Sequence, residues 1–283
     1  MENCNKMTYP HLNENITMKK NVITDKNFLF SLSTDKSLTL QNEYKFLICE
    51  DLLYESVKDE SEKRAKIFSK LGRPYIDYEF IPIIPKLIKF EITYNKPCAK
   101  PSSHIEKRDY SINDILANKS IKITSEQQRV LRDLEDDYLR QLEFIIKGFC
   151  GYFKQNSQRD ATSHMKSLLD GKINDDEYIN GIIKEHEIYG AKLPTLSFFT
   201  KESICYRYFQ VHELWKTDLR MRYQQFEDIY GNPKVILKIK HDYHDLNYLI
   251  LALLERGFAT NEKKLIEWFK LLGDKENLII TNS

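Results

Sequence analysis

Three short apolar runs in this chain each lead directly into acidic residues, two near its start and one near its end. Val22-Ile23-Thr24 leads to Asp25, and Tyr44 to Cys49 leads to Glu50, Asp51 and, one helical turn on, Glu55. Phe258-Ala259-Thr260 leads to Asn261 and Glu262. A short, continuous apolar run bounded by polar residues marks a buried strand. Acids just after such a run suit the first turn of a helix, where they meet the positive end of its dipole. The pattern predicts β-α units at both ends of the chain.

Between them lies a different texture. The stretches 67–71 and 81–94 mix apolar and basic residues, and Pro74, Pro82 and Pro85 interrupt them. Residues 96–118, with Pro97, Pro101, Ser102 and Ser103, read as a surface loop. Helical periodicity is clearest from Ser125 to Phe153, where Leu134, Tyr138, Leu142, Ile145 and Phe149 recur on one face. Further helices are predicted over 175–189 and 201–230. Near the end, Asp245 to Glu255 reads as a short apolar helix stopped by Gly257. Lys263 to Leu272 reads as an amphipathic helix, and 278–280 as a last strand. No internal repeat is present. The expected organisation is an N-terminal arm over 1–20, an α/β core from 21–60 and 232–283, and a mainly helical insertion over 61–231.

With 283 residues, 41% of them apolar and 30% charged, the chain is long enough to bury a full core and too apolar to be disordered. Its net charge of +1 announces no global field for nucleic acid, although bound cations can supply charge locally. Five scattered cysteines, Cys4, Cys49, Cys98, Cys150 and Cys205, have neither the spacing of a zinc site nor that of a disulfide framework. That usage fits a reducing compartment, and the expected location is cytoplasmic. The longest strongly apolar stretch, Leu246 to Leu254, is far short of the about 20 residues that span a bilayer. No membrane association is expected.

Four local patterns together resemble the PIN-domain nucleases. Val22-Ile23-Thr24-Asp25-Lys26-Asn27 is similar to that family's opening strand, which ends in Asp, a variable residue and Asn or Ser. Phe46-Leu47-Ile48-Cys49 with Asp51-Leu52-Leu53-Tyr54-Glu55 resembles the strand and helix that deliver its Glu. His244-Asp245-Leu246-Asn247 resembles the helix whose first turn offers an Asp. Gly257-Phe258-Ala259-Thr260-Asn261-Glu262 looks like its strand ending in Thr, a variable residue and an acid. The resemblance covers residues 20–58 and 240–270 and departs from the family in three ways. Glu262 stands where Asp is usual, Lys26 occupies a slot often held by a small residue, and about 190 residues separate Glu55 from Asp245.

The resemblance implies a PIN-like parallel sheet flanked by helices and a metal-dependent nuclease, a ribonuclease in the first place, leaving a 5′-phosphate. The implied ligands are Asp25, Glu55, Asp245 and Glu262, with Asn27 and Thr260 as supporting donors. Converging carboxylates select hard cations, Mg²⁺ or Mn²⁺, which activate water and stabilise a leaving oxygen. The expected partners are nucleic acid and a protein inhibitor or partner subunit docked on the insertion. A toxin or defence role follows by analogy only.

Each acid also has a plainer reading: Asp25 and Asp245 as helix caps, Glu55 as a solvent-facing helix residue. Asp242, one turn before Asp245, competes with it as the third ligand. Arg159 and His164 are spaced as in the HEPN-type ribonucleases, which implies an alternative metal-free cleavage. His241 and His244 beside Asp242 and Asp245 suggest a transition-metal site or, more plainly, the first turn of a helix. Lys216, Arg220 and Arg222 interleave with Trp215 and Tyr223 as in a basic, aromatic RNA-binding face, or as in any amphipathic helix. A third alternative is a PIN-like module that has lost catalysis and serves as an interaction scaffold.

Overall fold

The computed structural model describes residues 19–49, 51–52, 55–56, 61–68, 70, 78–105, 125–188, 192–273 and 277–280. The chain opens with strand β1 (Lys20–Thr24), helices α1 (Lys26–Ser31) and α2 (Thr34–Glu43), and β2 (Tyr44–Cys49). Asp51, Leu52, Glu55 and Ser56, just beyond β2, are helical. Then come α3 (Ser61–Phe68), β3 (Tyr78–Ile81) and α4 (Ile84–Tyr94). The helical middle holds α5 (Ser125–Gly148), α6 (Cys150–Gln155), α7 (Gln158–Leu169), α8 (Asp176–Ile188), α9 (Ile204–Arg222) and α10 (Glu227–Tyr230). The chain closes with α11 (Pro233–Glu255), β4 (Phe258–Ala259), α12 (Lys263–Leu272) and β5 (Leu278–Ile279).

The fold is α/β. The five strands form one parallel sheet in the order β3-β2-β1-β4-β5, as the continuous apolar runs require. The chain builds outward from β1 through β2 to β3, then returns to place β4 on the other side of β1. In such sheets ligands bind beyond the carboxyl ends of the strands, where the order reverses. Here that point lies at the ends of β1 and β4, just before Asp25 and Thr260.

Three expectations need correction. The sheet draws its edge strand β3 from within residues 61–231, so that span is not wholly an insertion. The helix expected to start at Asp245 starts at Pro233, with Asn232 capping it by accepting from the Lys234 amide. Proline at the first helical position is pre-set for it, and a cap precedes it. Asp245 therefore sits in mid-helix. The long helix over 125–153 divides at Phe149 into α5 and α6. Of the predicted arm, residues 1–18 lie outside the described residues, as do 106–118 of the predicted loop; Lys20 already belongs to β1.

α9 is buried on nearly all sides, with Tyr206, Val211, Leu214, Trp215 and Leu219 in the core. Its N-terminus is anchored by the buried Glu91 of α4, which accepts from the Cys98, Ile204 and Cys205 amides and the Ser203 hydroxyl. That arrangement welds the helical middle to the sheet layer rather than leaving it a separate body. Cys49, Cys98, Cys150 and Cys205 are free thiols, the first buried within β2 as a small core residue. Among the described residues, no helix is long and apolar enough to cross a membrane.

Candidate active site

Asp25 directly follows β1, is 1% exposed, and caps α1. Its Oδ1 accepts from the Phe28 amide at 2.6 Å. Its Oδ2 accepts from the Thr260 hydroxyl, at the end of β4. So the capping reading holds for Asp25, and the second oxygen does something more. It ties together two strand ends that the sheet places side by side. Thr260 also accepts from the Glu262 amide at 3.1 Å, which turns the chain there. Glu262, at the start of α12, makes no capping bond; its Oε1 accepts from Asn27 Nδ2 at 2.6 Å.

Beyond β2, Asp51 and Glu55 lie four residues apart and share one helix face. Both are met by α11: Asn247 Nδ2 donates to Asp51 at 3.4 Å, and the Tyr248 hydroxyl donates to Glu55. Glu55 is thus half-buried against a helix rather than solvent-facing. The strongest charges acting on Asp245 are those of Glu55, Asp25, Glu262 and Asp242, all of its own sign. The four predicted acids are therefore brought to one edge of the sheet by four separate segments.

Electrostatics follow from that gathering. Burial first, then the neighbouring carboxylates, push the Asp245 carboxyl up to about 8. Burial and Glu55 push Asp51 up to about 7. Asp25 reaches about 6, raised by burial and restrained by the Thr260 hydroxyl and the Phe28 amide. Burial and like charges both disfavour the ionised form. A cluster of this kind accepts protons or cations.

Asp51 was legible only as a helix-start signal, yet it belongs to the acidic group. Its spacing from Glu55 was the available clue. Asn247 and Tyr248 carried no comparable sign. Asp242 separates from its rival: Arg222 Nη2 donates to it at 2.6 Å, so it belongs to an ion pair, while Asp245 faces the acids.

The donor set suits a hard divalent cation in kind: carboxylates from Asp25, Asp51, Glu55, Asp245 and Glu262. The Asn247 side-chain oxygen is buried beside Asp51 and has no hydrogen-bond partner among the described residues, a polar atom with capacity for a ligand or water. No three His, Cys, Asp or Glu side chains among the described residues already stand as a metal cage. Cation binding would therefore require these side chains to draw together.

The other sequence candidates have local explanations. His164 meets Glu213 at 3.1 Å, and Tyr178 and Lys216 also donate to that carboxylate, whereas Arg159 is exposed on the same helix. Hydrogen bonds from His164, Lys216 and Tyr178 hold Glu213 down at about 2 against the effect of burial. Buried His244 stacks on Tyr138 at 4.1 Å and His241 is exposed, so neither joins a histidine metal site. Trp215 lies in the core and Arg220 binds the backbone oxygens of Asn156, Tyr223 and Gln224. Lys216 serves Glu213, so the basic, aromatic face reduces to Arg222 and Tyr223. The chain matches no family model, no curated protein and no solved structure, and the case for its chemistry rests on these side chains.

Proposed function

We propose that the protein is a metal-dependent nuclease of PIN-like architecture, acting on RNA in the first place, with Asp25, Glu55, Asp245 and Glu262 as its cation ligands and Asp51 beside them. One observation carries the reading. Four chain segments, the outermost joined by the Asp25–Thr260 bond across 235 residues, converge at the switch point of a parallel sheet and deliver one buried and three half-buried carboxylates whose charges oppose one another.

Bound Mg²⁺ or Mn²⁺ would supply charge neutralisation, water activation and stabilisation of the leaving oxygen of a phosphodiester. The chain's own part is orientation. Phe28 and Thr260 fix both oxygens of Asp25 and favour its ionised form. Asn27 holds Glu262, whose longer arm than the family's usual Asp is thereby directed. Tyr248 and Asn247 position Glu55 and Asp51 from the facing helix. Such supporting hydrogen bonds aim ligands and tune their basicity.

A labelled mixed RNA pool, incubated with Mn²⁺, Mg²⁺ or EDTA, tests the reading with wild type, Asp25→Asn and His164→Ala. Expected is cleavage that needs the metal, disappears in Asp25→Asn and survives His164→Ala. Metal-independent cleavage abolished only by His164→Ala would overturn it in favour of the helical middle. Catalytic silence of every protein, joined to no heat of Mn²⁺ binding in calorimetry, would favour the interaction-scaffold alternative.

A further inference from the structure

One face of α1 continues outward from the acids. Phe30 and Ser31 follow Asn27 by three and four residues, so the three share that face, and all are exposed. Two bonds tie it to the turn that carries Glu262. Asn27 Nδ2 donates to Glu262 Oε1 at 2.6 Å, and Asn261 Nδ2 donates to Ser31 Oγ at 2.7 Å. Phe30 therefore stands one helical turn, ~5 Å, from a side chain in contact with a candidate ligand.

The other side of Phe30 is cationic. Lys66 of α3 holds its ammonium 3.9 Å from the centre of the Phe30 ring. Just beyond α3, Lys70 Nζ donates to the Leu29 and Phe30 carbonyl oxygens, each at 2.8 Å. An ammonium has three donors, so among the described residues one is left for an anion. Burial, then the charge of Lys66, push the Lys70 ammonium down to about 8. Residues 61–70 carry four bases, Lys63, Arg64, Lys66 and Lys70, against one acid, Glu62. Like charges held this close favour the approach of an anion.

Across α1 the order is thus carboxylates, a carboxamide and a hydroxyl, an aromatic ring, then ammonium groups. A nucleic-acid strand repeats that order when one of its phosphodiesters lies at cation-bridged acids. Its next base then meets the ring, and its next phosphate meets the lysines. A duplex keeps its bases stacked on one another, so the ring selects an unpaired strand. Every base has a π-face, so the ring does not select among bases. Lys66 covers the ring when no strand is bound. An exposed cation–π contact is weaker than the stacking of a base, and the displaced ammonium gains a phosphate, so the exchange favours the strand.

We propose that Phe30, Lys66 and Lys70 form a binding step for the strand outside the acids, where Phe30 stacks the base next to the held phosphodiester and the lysines take its phosphate. The proposal rests on the nuclease reading for which phosphodiester lies at the acids. It narrows the substrate to single-stranded nucleic acid with no preferred base.

The test is binding, which does not need cleavage. Full-length Asp25→Asn protein in Mg²⁺ is titrated into a fluorescent twelve-nucleotide oligouridylate, its deoxy counterpart and a duplex of equal length, with anisotropy read at several salt concentrations. Expected is tighter binding of the single strands than of the duplex. Phe30→Ala should weaken the single strands about tenfold without changing the salt dependence, and Phe30→Tyr should retain binding. Phe30 is exposed, so its replacement leaves the core intact. Lys66→Gln should flatten the slope of log affinity against log salt by about 0.7, and Lys70→Gln added to it by about as much again. The ribo and deoxy arms show which sugar is accepted. Duplex binding as tight as single-strand binding, no binding at all, or Phe30→Ala and Lys66→Gln proteins behaving like the parent would overturn the step. Wild-type cleavage is scored separately: metal-dependent cleavage that Phe30→Ala and Lys66→Gln leave unchanged in KM sinks the step alone. Single-strand binding through Phe30 and Lys66 without any cleavage upholds the step and sinks the nuclease reading.

Discussion

Thr260 donates its hydroxyl hydrogen to Asp25, so the ends of β4 and β1 are joined by the side chains most central to the candidate site. The bond, together with the Phe28 amide, opposes the upward push of burial on the Asp25 carboxyl. Thr260→Val keeps the shape and removes the donor. A buried charge-assisted hydrogen bond contributes about 1.5–3 kcal/mol, so the ionised carboxylate should become harder to form. Expected is about 10–100-fold weaker Mn²⁺ binding by calorimetry at neutral pH, the usual effect of losing a supporting donor. Unchanged affinity would mean that Asp25 is not a ligand.

The raised carboxyls set the sign of the pH dependence without metal. Asp25, Asp51 and Asp245 hold protons up to about 6, 7 and 8 when folded and release them near 3.8 when unfolded. The native state binds more protons across that window, so stability falls as pH rises through it. Below 6.5 an opposing effect enters, because buried His212, pushed down to about 4, loses stability as pH falls. The clean comparison is therefore about pH 6.5 against about pH 7.5, below the range in which Lys70, pushed down to about 8 by burial, adds an opposing rise. There unfolding in EDTA should show the lower Tm at the higher pH. Asp245→Asn should remove much of that loss, about 1 kcal/mol or less after solvent screening of a half-buried group. A Tm that climbs between these pH values, with Asp245→Asn behaving as wild type, would contradict the clustering.

What was legible follows the physics of each element. Val22–Thr24, Phe46–Cys49 and Phe258–Ala259 could be read because strands buried on both faces are apolar throughout. β3 was hidden because its Glu79 faces Lys45 on the neighbouring strand, breaking the apolar run. Pro82 and Pro85 beside it look like breakers. Pro85, however, lies in the first turn of α4, where a missing N–H is no loss. Asp51 was missed for a deeper reason. A carboxylate after a strand serves a helix start and a cation equally well, and only the arrival of Asn247 from α11 distinguishes them. Asn232-Pro233 did carry a start signal for α11, overshadowed by the apolar run after Asp245.

Asp242 and Asp245 should separate cleanly by mutation. Asp242 shares Arg222 with Asp218 in a partly exposed ion pair, so Asp242→Asn should cost about 0.5–1 kcal/mol in urea unfolding and little cleavage. Asp245→Asn should abolish cleavage at least about a hundredfold, beyond what losing a supporting group does. The reverse ranking would move the third ligand one turn toward the start of α11.

Gly257 carries a role different from the helix stop expected of it. Arg256 takes the left-handed position that ends α11, at φ 65°, while Gly257 lets the chain pass against β1. A Cβ at Gly257 would stand 2.4 Å from the Asn21 carbonyl oxygen and 3.1 Å from Val22 Cγ1, and its own carbonyl accepts from the Ile23 amide. Gly257→Ala must therefore push β4 away from β1. Overpacking of this kind costs about 1–3 kcal/mol, and here the obstacle is backbone, so the upper end is expected in urea unfolding. Because Thr260 follows β4, the same displacement pulls its hydroxyl from Asp25, and Mn²⁺ affinity should fall with stability. Arg256→Gly acts oppositely: it relieves a left-handed conformation that costs an L-residue about 1–2 kcal/mol. It gives up only an exposed 3.7 Å contact with Glu202, worth little. The added chain entropy of glycine reduces the gain, leaving a rise of about 0.5–1 kcal/mol with metal affinity unchanged. If Gly257→Ala lowered stability while leaving Mn²⁺ affinity intact, the strand ends would not be what aligns the acids.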